Sequence, residues 1–122
     1  MLNTIILIGR LVRDPEIRHT QNGTAVGNFT LAVDRPFTNQ AGEKETDFID
    51  IVVWKKQAET CEKHLEKGRL VAVEGRLQIR NWEDKEGNKR KSAEVVADQV
   101  RFLDWGDKEE KTKDDTYDEV PF

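Results

Sequence analysis

Two short segments place aromatic and basic side chains on the same side of a predicted strand. In DFIDIVVWKK and RLVAVEGRLQIRNW, the even-numbered positions include Phe48, Trp54, Lys56, Arg76, Arg80 and Trp82. Side chains alternate between the two faces of a strand, so residues of one parity share a face. Flat rings stack on nucleobases, and lysine and arginine attract phosphates. The pattern therefore indicates binding of an unpaired nucleic-acid strand without readout of its sequence.

The odd-numbered positions of both segments are predicted to face the core. They are Ile49, Ile51, Val53, Val71, Val73, Gly75, Leu77 and Ile79. A single tryptophan on the opposite face is more often a packing residue at a barrel rim, since isolated exposed apolar side chains are common. Because aromatic and basic residues recur together on two strands, a binding surface is favoured over packing for Trp54 and Trp82 as a pair.

Two carboxylates share the parity of the aromatic residues. Asp50 and Glu74 either pair with neighbouring arginines or mark a shift of parity at a β-bulge, and the sequence leaves both interpretations open. Additional cations lie within or beside the two segments and are expected to give salt-sensitive attraction to phosphate. These cations are Lys55, Lys85, Lys89, Arg90 and Lys91.

The elements that carry these residues follow the order β-β-β-α-β-β. The five predicted strands are NTIILIGRLV, GTAVGNFTLAVDR, DFIDIVVWKK, RLVAVEGRLQIRNW and KRKSAEVVADQVRFLDW, with Pro36 ending the second. The segment QAETCEKHLEKG is predicted to form one helix between strands 3 and 4. This order predicts an all-β, five-stranded Greek-key barrel, the OB-fold, and a barrel of another topology would not explain the helix position. Glycines inside the strands (Gly9, Gly27 and Gly75) are predicted to mark bulges or sharp bends.

Charge is divided unevenly along the 122 residues. Residues 106–122 contain seven Asp or Glu and three Lys, so they carry the whole net charge of −4 and residues 1–105 are neutral. A neutral body can still present a basic face to a polyanion. We expect an OB-fold domain at 1–105 followed by a flexible, disordered acidic tail at 106–122.

Cysteine content and hydropathy indicate the compartment. The single cysteine excludes an internal disulfide and favours a reducing cytoplasm. No segment has the length and apolarity of a membrane span, and the N-terminal residues lack the form of a signal peptide. A cytoplasmic protein without a membrane partner is expected.

The sequence contains no set of residues typical of catalysis or metal binding. Cys61 and His64 lie three positions apart on the predicted helix, but zinc needs two more ligands and the other histidine, His19, is on a distant segment. No nucleophile–base pair or phosphate-binding glycine loop is present. We therefore predict a binding protein that is not an enzyme and has no cofactor or metal.

Several segments closely resemble the bacterial single-stranded DNA-binding protein family: ILIGRLVRDPEIR, NGTAVGNFTLAV, DFIDIVVWKKQAE, KGRLVAVEGRLQIRNWEDKEG and the terminal DEVPF. The resemblance is nearly continuous over residues 1–103. It implies an OB-fold homotetramer, associated with the nucleoid, that binds single-stranded DNA during replication, recombination and repair. On this resemblance the stacking rings fall on Phe37, Phe48, Trp54 and Trp82, and basic contacts fall on Lys56, Lys67 and Arg80.

The resemblance also gives a meaning to the apolar end of the acidic tail. In the family, such a tip docks into pockets on replication, recombination and repair proteins, and here it comprises Asp118, Glu119, Val120, Pro121 and Phe122. The Phe122 ring can be buried in a pocket while its α-carboxylate meets a basic residue, and the acidic residues steer the encounter. The alternative is an inert solvated tail, which the Pro-Phe ending disfavours.

Two other functions fit parts of the pattern. An OB-fold that prefers single-stranded RNA would stack bases equally well, because only contacts to the 2′-hydroxyl distinguish the sugars. A protein-interaction adaptor would use the barrel only as a scaffold. Competition between oligo-dT and oligo-U tests the first alternative, and the absence of tryptophan quenching by oligo-dT would support the second.

Overall fold

The structure, a computed structural model, describes residues 1–104 of the chain. Alternation of apolar and polar residues produces β-strands along most of this range. The predicted disordered tail and its tip, Asp118–Phe122, lie outside the described residues. Within 1–104 the elements are β1 (Ile5–Leu11), β2 (Glu16–His19), β3 (Ala25–Thr38), β4 (Lys44–Trp54), α1 (Lys56–His64), β5 (Leu70–Glu83) and β6 (Lys89–Phe102).

The strands form one sheet that closes on itself. Its order is β1-β5-β6-β4-β3-β2, and a further pairing between β1 and β3 closes five of these strands into a barrel. All pairings are antiparallel except the short contact of β4 with β6, where Ile51 pairs with Val95. The predicted five-stranded OB-fold barrel is confirmed.

One strand was not predicted. The segment EIRH forms the short β2, which pairs antiparallel with the first residues of β3, Ala25 to Asn28. It lies outside the closed barrel, so the helix follows the third barrel strand as predicted, although it stands between β4 and β5 when all strands are counted. The four residues of β2 include one apolar side chain, Ile17, so they show no repeated alternation of apolar and polar residues.

The core is filled by side chains of one parity from each barrel strand. Leu31, Ile51, Val53, Val71 and Val73 are fully buried. Helix α1 packs on this core with Ala58 and Cys61, the apolar residues of an otherwise polar helix, and Leu65 directly after the helix joins them. Within residues 1–104, the inside of the barrel is therefore packed with apolar side chains.

Gly75 confirms that a strand glycine marks a bulge. The register of β5 against β6 shifts between Glu74 and Gly75. A Cβ atom at Gly75 would lie 2.1 Å from the carbonyl oxygen of Val96. This distance is too short for any side chain to be accommodated at position 75. The missing side chain allows the backbone of β6 to lie close to β5 at this register shift.

Two predictions about strands were wrong. Pro36 does not end its strand: β3 continues to Thr38, because the register against β4 is irregular between Asp34 and Thr38 and the missing N–H leaves no ladder bond unmade. Leu77 and Ile79 do not face the core, since their side chains are 40% and 49% exposed. Their part of the β5–β6 hairpin extends past the residues that β1 covers, so no second layer lies over it.

Within residues 1–104, no helix has the length and apolarity needed to cross a membrane.

Candidate functional site

The β3–β4 hairpin presents two phenylalanine rings to solvent. Phe48 is 67% exposed and Phe37 is 62% exposed, although phenylalanine is ordinarily among the most buried residues. Phe37 lies in the irregular part of β3, where residues 35–37 oppose a single position of β4. The hairpin therefore displays two apolar rings that nothing in the described chain covers.

Arg35 holds this hairpin together. Its guanidinium Nη1 lies 3.0 Å from Glu45 Oε1, and its Nη2 and Nε donate to the two carboxylate oxygens of Asp47 at 3.0 and 3.1 Å. The hydrogen bond from Arg35 lowers the pKa of Asp47 from its ordinary value. Because Arg35 is committed to two carboxylates, it is not a free phosphate contact.

Trp54 stands at the end of β4, at the junction with α1. It pairs with Val26 of β3 and is 42% exposed. The next residue, Lys55, has a left-handed backbone with φ of 60°, and its N–H donates to the Ala25 carbonyl at 2.7 Å. Lys55 and Lys56 are both exposed. The turn into the helix thus keeps an indole ring and two ammonium groups at the surface together.

Trp82 lies on the projecting part of β5 and is 46% exposed. Its indole Nε1 donates a hydrogen bond to the hydroxyl oxygen of Ser92 on β6 at 2.9 Å. The ring therefore has a fixed polar partner and still shows part of its surface to solvent.

An open groove of about 410 Å³ runs beside Trp54. Arg80 of the predicted set also lines it, which brings together one predicted ring and one predicted cation from different strands. Arg13, Arg18 and His19 line the same groove and were missed by the sequence analysis. Arg18 belongs to β2, so its place became apparent only with that strand; no sequence signal marked Arg13.

The remaining predicted cations are exposed but lie outside this groove. They are Lys55, Lys56, Lys67, Arg76, Lys85, Lys89, Arg90 and Lys91. Two of them are already engaged: Arg90 Nε donates to Asp84 at 3.0 Å, and Arg76 Nη1 donates to Gln78 Oε1 at 2.9 Å. The pKa of Asp84 is lowered, first by the backbone N–H of Asn88 and further by Arg90.

The structure shows the surroundings of Asp50 and Glu74, for which the sequence left two interpretations open. Asp50 accepts a hydrogen bond from the Thr30 hydroxyl at 3.1 Å and lines the groove, with no arginine bonded to it within residues 1–104. Glu74 is exposed directly before the register shift of β5 against β6, where Asp98 of β6 is the extra residue. The groove is therefore mixed in charge, because four acidic residues line it beside the three arginines: Asp14, Glu16, Asp50 and Glu94.

Cys61 and His64, the two helix residues considered as metal ligands, are each in contact with other groups. Cys61 is buried, and burial raises the pKa of its thiol to about 12. The His64 ring packs against Phe102 with ring centres 5.9 Å apart. Among residues 1–104, no group of three or more potential metal ligands occurs.

Comparison with known proteins gives a family model and several similar proteins that carry the same description. A family model described as the single-strand binding protein family matches residues 2–103. A "Single-stranded DNA-binding protein" of Halalkalibacterium halodurans is 56% identical over 104 residues, covering 85% of this chain and 62% of the relative. A protein of the same name from Staphylococcus aureus is 55% identical over 120 residues, covering 98% of this chain and 74% of the relative. The chain thus spans only part of the length of these curated relatives.

Proposed function

Because the chain belongs to the single-strand binding protein family, we propose that it binds single-stranded DNA independently of sequence. Bases stack on Phe37, Phe48, Trp54 and Trp82, and lysine and arginine side chains attract the phosphates. The observation that carries this proposal is the exposure of all four rings on the barrel surface, between 42% and 67%. Each base stacked on an aromatic ring contributes roughly 1–3 kcal/mol, irrespective of which base it is.

The charged residues near Trp54 also support binding of single-stranded DNA. Arg80 and two further arginines, Arg13 and Arg18, line the groove with Trp54. A strand lying there would exchange its counterions for these cations, so affinity would fall as salt is raised. Four acidic groove residues disfavour a phosphate at their own positions, which favours a strand that turns its bases towards them: Asp14, Glu16, Asp50 and Glu94.

Self-assembly is the second part of the proposal. Ile6 is 67% exposed and Ile8 39% exposed on the outer face of β1, next to Ala72 of β5. Leu77 and Ile79 form another apolar surface on the β5–β6 hairpin. Adjacent exposed apolar side chains of this kind mark protein interfaces. Two separate surfaces are what a homotetramer with two kinds of interface requires.

The C-terminal segment completes the proposal. Residues 106–122 act separately from the DNA-binding domain at 1–105, and the tip of this segment recruits proteins of replication, recombination and repair. The support is the acidic sequence that ends in Val120, Pro121 and Phe122, since an aromatic ring with a neighbouring carboxylate suits a pocket with a basic rim. Such a protein works in the cytoplasm at the nucleoid and catalyses no reaction.

Titration of the protein with oligo-dT tests the DNA-binding proposal. Tryptophan emission should be quenched, and the variant with both Trp54→Ala and Trp82→Ala should lose roughly 2–6 kcal/mol of binding free energy at two stacked bases. Leu103→Ala, which removes an exposed apolar side chain outside the groove, is the matched control. Equal affinity of the double variant and the control variant would refute the stacking surface, and stronger binding of oligo-U than of oligo-dT would refute the preference for DNA.

A further inference from the structure

We propose that Ser92 is a positioning residue for Trp82. Its hydroxyl oxygen accepts the indole N–H at 2.9 Å and thereby sets the direction in which the ring lies on the β5–β6 hairpin. The inference rests on the proposed function, because it concerns how one of the stacking rings is held before DNA arrives.

The strand register gives the direction. Trp82 pairs with Arg90, whereas Ser92 pairs with Arg80, two residues closer to the barrel. The bond from Trp82 to Ser92 is therefore diagonal across the hairpin, within the reach of a long aromatic side chain. An indole held in this way leans towards the barrel and towards Arg80, which lines the groove that also contains Trp54. Without the bond, the side chain could equally lean towards the turn that joins β5 and β6.

The projecting hairpin gives the ring little other restraint. The residues near Trp82 on β5, Arg80, Asn81 and Glu83, are all exposed, and the apolar residue Ile79 lies on the opposite face. These neighbours on β5 therefore offer the ring no apolar packing surface, and the hydrogen bond to Ser92 is its one polar restraint within residues 1–104. A hydrogen bond at the edge of the indole restrains the ring and leaves its faces available for stacking. By contrast, the Trp54 indole makes no hydrogen bond within residues 1–104.

A double-mutant cycle tests the proposal, with oligo-dT of about eight nucleotides as the probe, a length within the range that one OB-fold occupies. Ser92→Ala should weaken binding about three- to tenfold, the effect of losing one neutral hydrogen bond. Trp82→Phe keeps an aromatic ring but has no N–H to donate. In that background, Ser92→Ala should change affinity less than about 1.5-fold, because the two residues act through the same bond.

Two control variants separate positioning from general damage to the fold. Ser92→Thr retains the hydroxyl and should restore affinity to within about twofold. Thr60→Ala deletes a hydroxyl that donates to the Lys56 carbonyl on the distant helix, and it should leave affinity unchanged. If Ser92→Ala acted through a general loss of stability, it would weaken oligo-dT binding to the same extent in the Trp82 and Trp82→Phe proteins. That result would overturn the inference.

The ring itself provides an independent readout. In a Trp54→Phe, Trp105→Phe protein, emission comes from Trp82 alone, since the chain has three tryptophans. Its fluorescence anisotropy should fall in the Ser92→Ala variant without DNA and recover in Ser92→Thr. Unchanged anisotropy would overturn the positioning role even if Trp82→Ala weakens DNA binding. If Trp82→Ala binds oligo-dT normally, the stacking role of Trp82 fails, and the inference fails with it.

Discussion

Replacing Gly75 by alanine should destabilise the protein at the root of the hairpin that carries Trp82. A Cβ atom there would lie 2.1 Å from the Val96 carbonyl oxygen and 2.9 Å from the Ala97 Cα. Ordinary carbon–oxygen contacts between strands are about 3.3–3.6 Å. The two strands must therefore separate by more than roughly 1 Å, and both neighbouring atoms belong to the backbone of β6, which cannot rotate away as a flexible side chain could.

The expected cost follows from this geometry. Overpacking typically costs about 1–3 kcal/mol, and a clash with backbone atoms in a closed barrel should reach the upper end, about 3 kcal/mol. Gly87→Ala is the matched control. Gly87 lies in the turn between β5 and β6 with φ of 84°, and nothing stands within 4 Å of an added Cβ. The control should therefore cost only the left-handed backbone strain, about 1–2 kcal/mol.

Urea unfolding followed by circular dichroism measures both variants. Protomer concentration must be held constant, because the stability of an assembling protein depends on it. The free energy of unfolding should fall more in Gly75→Ala than in Gly87→Ala with little change in the slope against urea. Oligo-dT affinity, measured where each variant is folded, should fall only in Gly75→Ala, because its hairpin is displaced. A Gly75→Ala protein as stable as the control variant would refute the clash argument.

Three other predictions concern side chains of the surface and the core. The lowered pKa of Asp47 means that its bond to Arg35 stabilises the folded state above the ordinary Asp pKa of 3.8 and that this stabilisation is lost as pH falls below it. The free energy of unfolding of Asp47→Asn should accordingly fall less steeply as the pH is lowered, and a profile identical to that of the unmodified protein would contradict this. Arg80→Ala should reduce the slope of log affinity against log salt by about one, as measured with oligo-dT at several salt concentrations, whereas an unchanged slope would remove Arg80 from the phosphate contacts. Cys61, buried with a pKa of about 12, should react with a thiol reagent at pH 8 only in urea; rapid reaction of the folded protein would show that α1 opens readily.

The sequence determined the barrel and the face on which the rings lie. Alternation in β4 separates Ile51 and Val53, which are buried, from Phe48 and Trp54, which are exposed. This works because a residue's parity alone selects its face wherever one side of a strand packs on a core. The position of the helix after the third barrel strand then distinguished the OB-fold from other barrels.

Only the tertiary structure decided what depends on strand ends and on contacts across strands. Parity predicted a buried Ile79, yet the hairpin extends past the end of β1 and leaves it exposed. Arg18 reached the groove through a strand too short to recognise, and Ser92 met Trp82 through the register of β5 against β6. The physical reason is the same in each case: a local pattern assigns a side chain to a face, but the partner on that face is set by where neighbouring strands begin, end and shift register.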